Sequence, residues 1–402
     1  MTPTLAIADD SGATALEPRL QNDPGPVAPR CPRYQSLDVW RGVACLAVVV
    51  FHSVQFAVTY ENDQGLRTAS LDRWLAACTS RLWVGVPMFF VISGYCISAT
   101  ADSSRRKGQG TGTYFLRRFR RIYPPYWAYF GVLAVSMLLL DRLLKREIFT
   151  GPEHRIMRPW WLSVPDLIGN LTLTETWLRH FFHNRHQMFV WQGWTLCYEE
   201  QFYAVVGIAL LVARHHLFKV MMLTTAAVLA MCLAFDMTPI RGFFFDGRWL
   251  LFAAGILVYY VINYASHRES AVLKLLLVVG MFWACSHPYR IREFIANQEQ
   301  ERLAAFGFAL LLLWLHPSDR RLHASRWLGP VAFCGRISYS LYLTHSPMVL
   351  FISWAAYKFG ATSLWTTLLV VVPLCVACAI PIAWTFYQLV ERRCLNTNTV
   401  SV

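Results

Sequence analysis

The sequence predicts an all-α fold, a polytopic integral membrane bundle of about ten transmembrane helices, and three observations carry that prediction. Hydrophobic residues make up 55% of the 402 and charged residues only 15%, whereas soluble domains carry about 25% charge; mean hydropathy is +0.36. Apolar windows recur that can cross roughly 30 Å of hydrocarbon at 1.5 Å per residue, which takes about 20 residues. The runs lack the period-2 alternation of membrane strands, and lipid-facing backbone must satisfy its own hydrogen bonds, so helix is the element that fits.

Residues 1–35, rich in Ala, Pro and Asp, have no basic segment leading into an apolar one and read as a disordered cytosolic tail instead of a signal peptide. The first expected span, 39–59, contains "RGVACLAVVVFH", which opens with Arg41 and closes with His52. An ionisable group at the bilayer centre costs at least ~2.5 kcal/mol, so such residues are kept for a purpose or paired. Eleven residues advance about 1100°, three turns plus about 20°, which puts both side chains on one stripe about 16 Å apart along the axis. The second span, 82–101, holds "FFVISGY" with Ser93 and Gly94 inside it. A glycine there admits a close neighbour or a ligand, and small-residue packing explains it equally well.

The 102–122 connection carries Arg105, Arg106, Lys107, Arg117, Arg118, Arg120 and Arg121, against Arg67, Arg73 and Arg81 in 60–81. Positive-inside bias therefore places 102–122 and both termini in the cytoplasm of a multi-pass protein of the cell (inner) membrane. "RRFRRIYPPYW" leads into the third span, 125–141, with more cations than orientation requires. Such a cluster suits a polyphosphate ligand, coenzyme A being one.

The following segment, 142–198, is expected outside and contains Trp160, Trp161, Trp177, Trp191 and Trp194. These offer platforms for sugar rings or an interfacial aromatic belt. His180, His183 and His186 at i, i+3 and i+6 do not share one helical face, so no metal site is expected. "WTLCYEEQFY" puts Glu199 and Glu200 at the outer end of the fourth span, 199–213. Adjacent positions point about 100° apart, so one carboxylate is expected to face inward, where it would orient or charge-balance a histidine.

Further windows follow at 217–236, 247–265, 271–287 and 303–316. The ninth, 337–357, carries "ISYSLYLTHSPM", with His345 about halfway across and Ser338 and Ser340 nearer the inner face. The tenth, 364–390, has Cys375 and Cys378 at CxxC spacing, but most of the eleven cysteines fall within spans, so packing is the expected use. Residues 394–402 read as a short cytosolic tail. Two function classes can use mid-membrane histidines: an enzyme, and a proton-coupled small-solute transporter. No internal repeat supports an inverted-topology transporter.

The ordered motifs resemble the acyltransferase-3 family of membrane acyltransferases. Arg41 and His52 after "SLDVW" are similar to its first-helix signature; "FFVISGY", "RRFRRIYPPYW", "WTLCYEEQFY", "ISYSLYLTHSPM" and the terminal "LVERR" resemble its later motifs in order and spacing. The likeness runs over 36–393, the expected transmembrane domain. It implies O-acyl transfer, commonly of acetyl, from cytoplasmic acyl-CoA as co-substrate, with no permanently bound cofactor, to a hydroxyl of a saccharide or lipid-linked saccharide. Besides that acceptor, membrane lipids and no nucleic acid are the implied partners.

His52 then matches the essential histidine and Arg41 its paired arginine, with Glu199, Glu200 and His345 as further catalytic candidates. Arg117, Arg118, Arg120 and Arg121, with Ser93 and Gly94, are the donor-binding candidates. A general base and an acyl-histidine intermediate both remain open mechanisms. Thr195, Cys197 and Tyr198 before the glutamates, Thr344 and Ser346 around His345, and Arg393 depart from the family pattern, which bears on the acceptor. The chain is expected to end after its tenth span without the esterase-like domain that some relatives append.

Overall fold

The computed structural model describes residues 34–60, 70–145, 157–182, 187–234, 242–243, 246–286, 298–361 and 363–395. The described residues form helices connected by turns. In chain order these are α1 (Leu37–Tyr60), α2 (Ser70–Ser80), α3 (Gly85–Arg106), α4 (Thr111–Leu144), α5 (Val164–Thr172), α6 (Glu175–Phe182) and α7 (Gly193–Val212). They continue as α8 (Leu217–Ala234), α9 (Trp249–Asn263), α10 (His267–Ser286), α11 (Gln298–Leu315), α12 (Asp319–Ala324), α13 (Gly329–Arg336) and α14 (Ser338–Lys358). A final helix, Leu364–Cys394, contains π-helical turns at Thr367–Val371 and Tyr387–Glu391.

Seven helical stretches among the described residues are long and apolar enough to cross a membrane. The other three expected spans are helices as well, but each departs from the simple apolar rod. α9 has 15 residues, α11 opens with Glu299, Glu301 and Arg302, and α14 carries Tyr339, Ser340, His345 and Ser346 among its apolar residues.

The boundaries shift in places for physical reasons. The expected tail 1–35 falls outside the described residues except at its end, where Tyr34 and Gln35 belong to the bundle. The Tyr34 amide donates to Tyr95 Oη at 3.1 Å, its hydroxyl donates to the Leu312 carbonyl at 3.1 Å, and the Gln35 and Ser36 amides bond Asp319 at 2.6 and 2.9 Å. Burial and the Asp319 charge push the Tyr34 phenol above its usual range, so it stays a donor. At the other end, Cys394 is still helical, and 396–402 lie outside the described residues.

α4 does not begin at 125 but at Thr111, and it runs through Pro124 and Pro125 for 34 residues, about 51 Å at 1.5 Å per residue. The basic stretch and the third span are therefore one continuous element. The described part of the 142–198 segment folds back along it: Tyr123, Tyr126 and Trp127 donate to the carbonyls of Thr172, Asn170 and Leu171, and wholly buried Arg158 pairs with Asp141 at 2.8 Å.

Two crossings fix the bundle, both made by glycines that membrane helices use for close backbone approach. At the first, α3 meets α9: a Cβ on Gly94 would stand 2.0 Å from the Phe252 carbonyl oxygen, and one on Gly255 1.9 Å from that of Val91. At the second, α1 meets α13, with Gly42 against Val331 and Gly335 against Asp38 at 1.9 and 1.7 Å. Gly255→Ala is expected to force α3 and α9 apart, a misfit costing about 1–3 kcal/mol. A lowered melting temperature and loss of a single size-exclusion peak are the readouts, and an unchanged profile would show that the crossing yields easily.

Cys45, Val49, Cys334, Leu341, Val349, Cys375 and Ala379 form an apolar core where α1, α13, α14 and the final helix meet. Cys375 packs there, as a small apolar residue would.

Candidate active site

α1, α3, α4, α7 and α14 wall one open cavity of about 100 Å³. α1 contributes Arg41, α3 Ser93 and Cys96, α4 Arg118 and Arg121, α7 Thr195, Glu199 and Tyr203, and α14 Ser338, Tyr339 and Tyr342.

Helical phase on α4 divides the four candidate arginines. Positions 118, 121 and 122 share a face at spacings of three and four, and all three line the cavity. Arg117 turns aside to Gln109 at 3.0 Å and Arg120 is exposed, so neither belongs to the cavity wall. Arg105 and Arg106 are engaged with wholly buried Asp102 at 2.7 and 2.9 Å, and Arg214 caps the end of α3 on the carbonyls of Ser104 and Gln109.

Arg118 is different. It is 9% exposed, its Nε has no hydrogen-bond partner among the described residues, and its guanidinium faces the rings of Tyr203 and Tyr114 at 5.3 and 5.8 Å. A buried cation without a bonded counter-charge is costly unless something compensates it, and an anion entering the cavity would do so.

The two glutamates also part. Glu199 lines the cavity and accepts from Ser93 Oγ at 2.5 Å and from the Tyr203 hydroxyl. It bonds neither histidine, contrary to the expected orienting role, because α7 delivers it beside α3 instead of beside α1 or α14. Glu200 is half-buried in the field of Arg118, with Oε1 unbonded. Gly94, one residue from Ser93, points into the α9 crossing and not into the cavity. Arg41 donates to Asp38 Oδ1 at 3.2 Å and to Cys96 Sγ at 3.0 Å.

Neither histidine is among the residues that line the cavity. His52 and His345 instead meet each other, ring centroids 5.4 Å apart at 33°. α1 and α14 run side by side in one register: Cys45 Sγ touches the Ser338 carbonyl, and that pair has the same sequence separation of 293 residues as His52 and His345, seven residues further along. Gln55 hydrogen-bonds the His52 ring. His345 is wholly buried, and its Nδ1 lies 2.8 Å from the Tyr342 carbonyl and 3.2 Å from that of Leu341. A carbonyl can only accept, so Nδ1 carries the proton and Nε2 presents its lone pair; Nε2 has no partner among the described residues.

The expected single stripe from Arg41 to His52 is thus divided: Arg41 lines the cavity and His52 is not among its lining residues, while Tyr342 lines it and packs against His345. Tyr342 was not among the sequence candidates, although its position one turn before His345 and four residues after Ser338 marks the same helical face. Cys96 and Tyr203 were missed too, while Thr195, read as a departure bearing on the acceptor, lines the cavity. Their neighbours come from other helices, which no local spacing reveals. Glu391 of the terminal "LVERR" is buried and accepts from Ser340 Oγ at 2.5 Å, which ties the second π turn to α14. Of the outer histidines, His183 and His186 lie outside the described residues. Trp194 packs under Arg248 at 5.0 Å, whereas Trp160 and Trp191 are exposed.

A family model described as an acyltransferase domain matches residues 34–387. A Staphylococcus aureus (strain COL) protein named a putative O-acetyltransferase is 24% identical over 343 residues, 79% of this chain and 50% of that protein. A Bacillus subtilis (strain 168) protein named a putative peptidoglycan O-acetyltransferase is 24% identical over 323 residues, 73% of this chain and 48% of its own. The chain spans about half the length of the curated relatives it matches. No solved structure matches it.

Proposed function

Because the chain belongs to the acyltransferase-3 family, we propose that it moves an acyl group, acetyl, from acyl-CoA to a hydroxyl of a saccharide acceptor. The observation that carries the donor half is the buried guanidinium of Arg118, whose Nε has no hydrogen-bond partner among the described residues, in one cavity with Arg121 and Arg41. A diphosphate is the kind of anion that such a fork of donors recognises. The name of the Bacillus subtilis relative supports a saccharide acceptor.

In the proposed reaction the acceptor hydroxyl gives its proton to His52, and its oxygen forms a bond to the thioester carbonyl carbon. The C–S bond then breaks, and the departing CoA thiolate takes the proton back from the imidazolium. His345, fixed as the Nδ1–H tautomer, packs its ring against that of His52 and positions it. Glu199 and Ser93 shape the donor cavity. The positively charged face of α4 lies in the cytoplasm, both termini with it, and acyl-CoA enters from there. The 142–198 segment selects the acceptor from the other side, with Trp160 and Trp191 exposed for sugar contact.

Purified full-length protein in lipid nanodiscs, given acetyl-CoA labelled in the acetyl group and peptidoglycan fragments or simple hexoses, is expected to release CoA and label the saccharide. No loss of thioester with any acceptor would reject the reading. Uptake of a solute into vesicles without thioester consumption would favour the transporter class, which the family match does not.

A further inference from the structure

The histidine pair is not among the residues that line the donor cavity, and the Tyr342 side chain meets both. Tyr342 lines the cavity, packs its ring 5.8 Å from that of His345, and meets the edge of Phe89 at 5.9 Å. Its hydroxyl is 2.9 Å from Thr195 Oγ1 on α7. α3 and α7 therefore hold the ring from two directions, and it cannot turn aside without parting from Thr195.

We propose that Tyr342 is the residue that sets the length of the acyl group this protein transfers. The inference rests on the acyl-CoA reading above and adds what that reading leaves open. A thioester held among the arginines must present its carbonyl toward His52, and the acyl carbons beyond the carbonyl then lie against the Tyr342 ring. A short acyl group clears the ring; each further methylene has to displace it from Phe89 or from Thr195. Ring bulk is thus the selecting property, and the hydroxyl bond keeps the bulk in place.

The structure also separates this role from a merely supporting one. The bond that fixes the His345 tautomer comes from the backbone carbonyl of residue 342, which every side chain provides. Replacing the tyrosine side chain should alter donor preference without changing the proton placement on His345.

The test compares acetyl-, butyryl- and hexanoyl-CoA turnover by full-length wild type, Tyr342→Ala, Tyr342→Leu and Tyr342→Phe in nanodiscs. Wild-type kcat/KM should fall as the chain lengthens. Tyr342→Ala should raise the hexanoyl-to-acetyl ratio by about tenfold or more, the scale on which pockets discriminate methylenes. Tyr342→Leu should give a smaller rise, and it serves where the alanine variant fails to fold. Tyr342→Phe, which keeps the ring against Phe89 but gives up the Thr195 bond, should raise the ratio less than Tyr342→Leu does.

An unchanged ratio in the folded alanine or leucine variant overturns the proposal, as does a wild type that favours the longest donor or a folded variant equally inactive with all three. If the wild type consumes no acyl-CoA at all, the acyl-transfer reading falls instead, a result distinguishable from all of these.

Discussion

His52→Ala is expected to lower acyl transfer by about 10²–10⁴-fold, the usual contribution of a positioned general base. The substitution removes a polar group from the bundle and adds none, so insertion and folding should persist. Donor binding should persist as well, because His52 stands outside the cavity that Arg41, Arg118 and Arg121 line. The signature is a collapse of kcat with the KM for acyl-CoA little changed. His345→Ala alone should be severe, and the double variant should be hardly worse than the more severe single one, since a base and the group that positions it are not additive. Transfer near the wild-type rate in a well-expressed His52→Ala protein would remove the histidine pair from the mechanism.

Arg118→Gln carries the second large effect, and it falls on the other kinetic constant. A hydrogen bond to a charged group contributes about 1.5–3 kcal/mol, so loss of the guanidinium should raise the KM for acyl-CoA by roughly 10- to 100-fold. The KM for the saccharide should move far less. Arg120→Gln, on the exposed side of the same helix, should have a much smaller effect, which separates a bonded contact from general attraction of an anion to a basic surface. Equal responses in the two variants would mean that the donor is held by diffuse charge and not in the cavity.

The contrast between those arginines shows where the sequence was legible. Apolar window length located helices at each of the expected spans, because crossing the hydrocarbon is a demand each helix meets alone. A 34-residue α4 was not foreseen, since Pro124 and Pro125 look like a start signal and in fact lie within the helix. At the site, Arg41, Ser93, Arg118, Arg121 and Glu199 were candidates and do share a cavity. Arg117, Arg120 and Gly94 were candidates for being close by in sequence, and the 100° step per residue turns each of them elsewhere. That His52 and His345 face one another while Glu199 pairs with Ser93 depends on which helices neighbour which, and that order is a property of the folded bundle, absent from any single motif.

The common register of α1 and α14 has a consequence for how such a chain can vary. Two rods of equal pitch laid side by side stay in phase however long the ribbon that joins them, so additions to the links between helices leave the imidazoles facing each other. A single residue inserted between Cys45 and His52 does the opposite: it swings His52 through about 100° and lifts it about 1.5 Å, while Cys45 keeps its place against Ser338. Length is therefore free to drift in the links and frozen in the seven-position step from Cys45 to His52, and that step works as a gauge stamped into the helix.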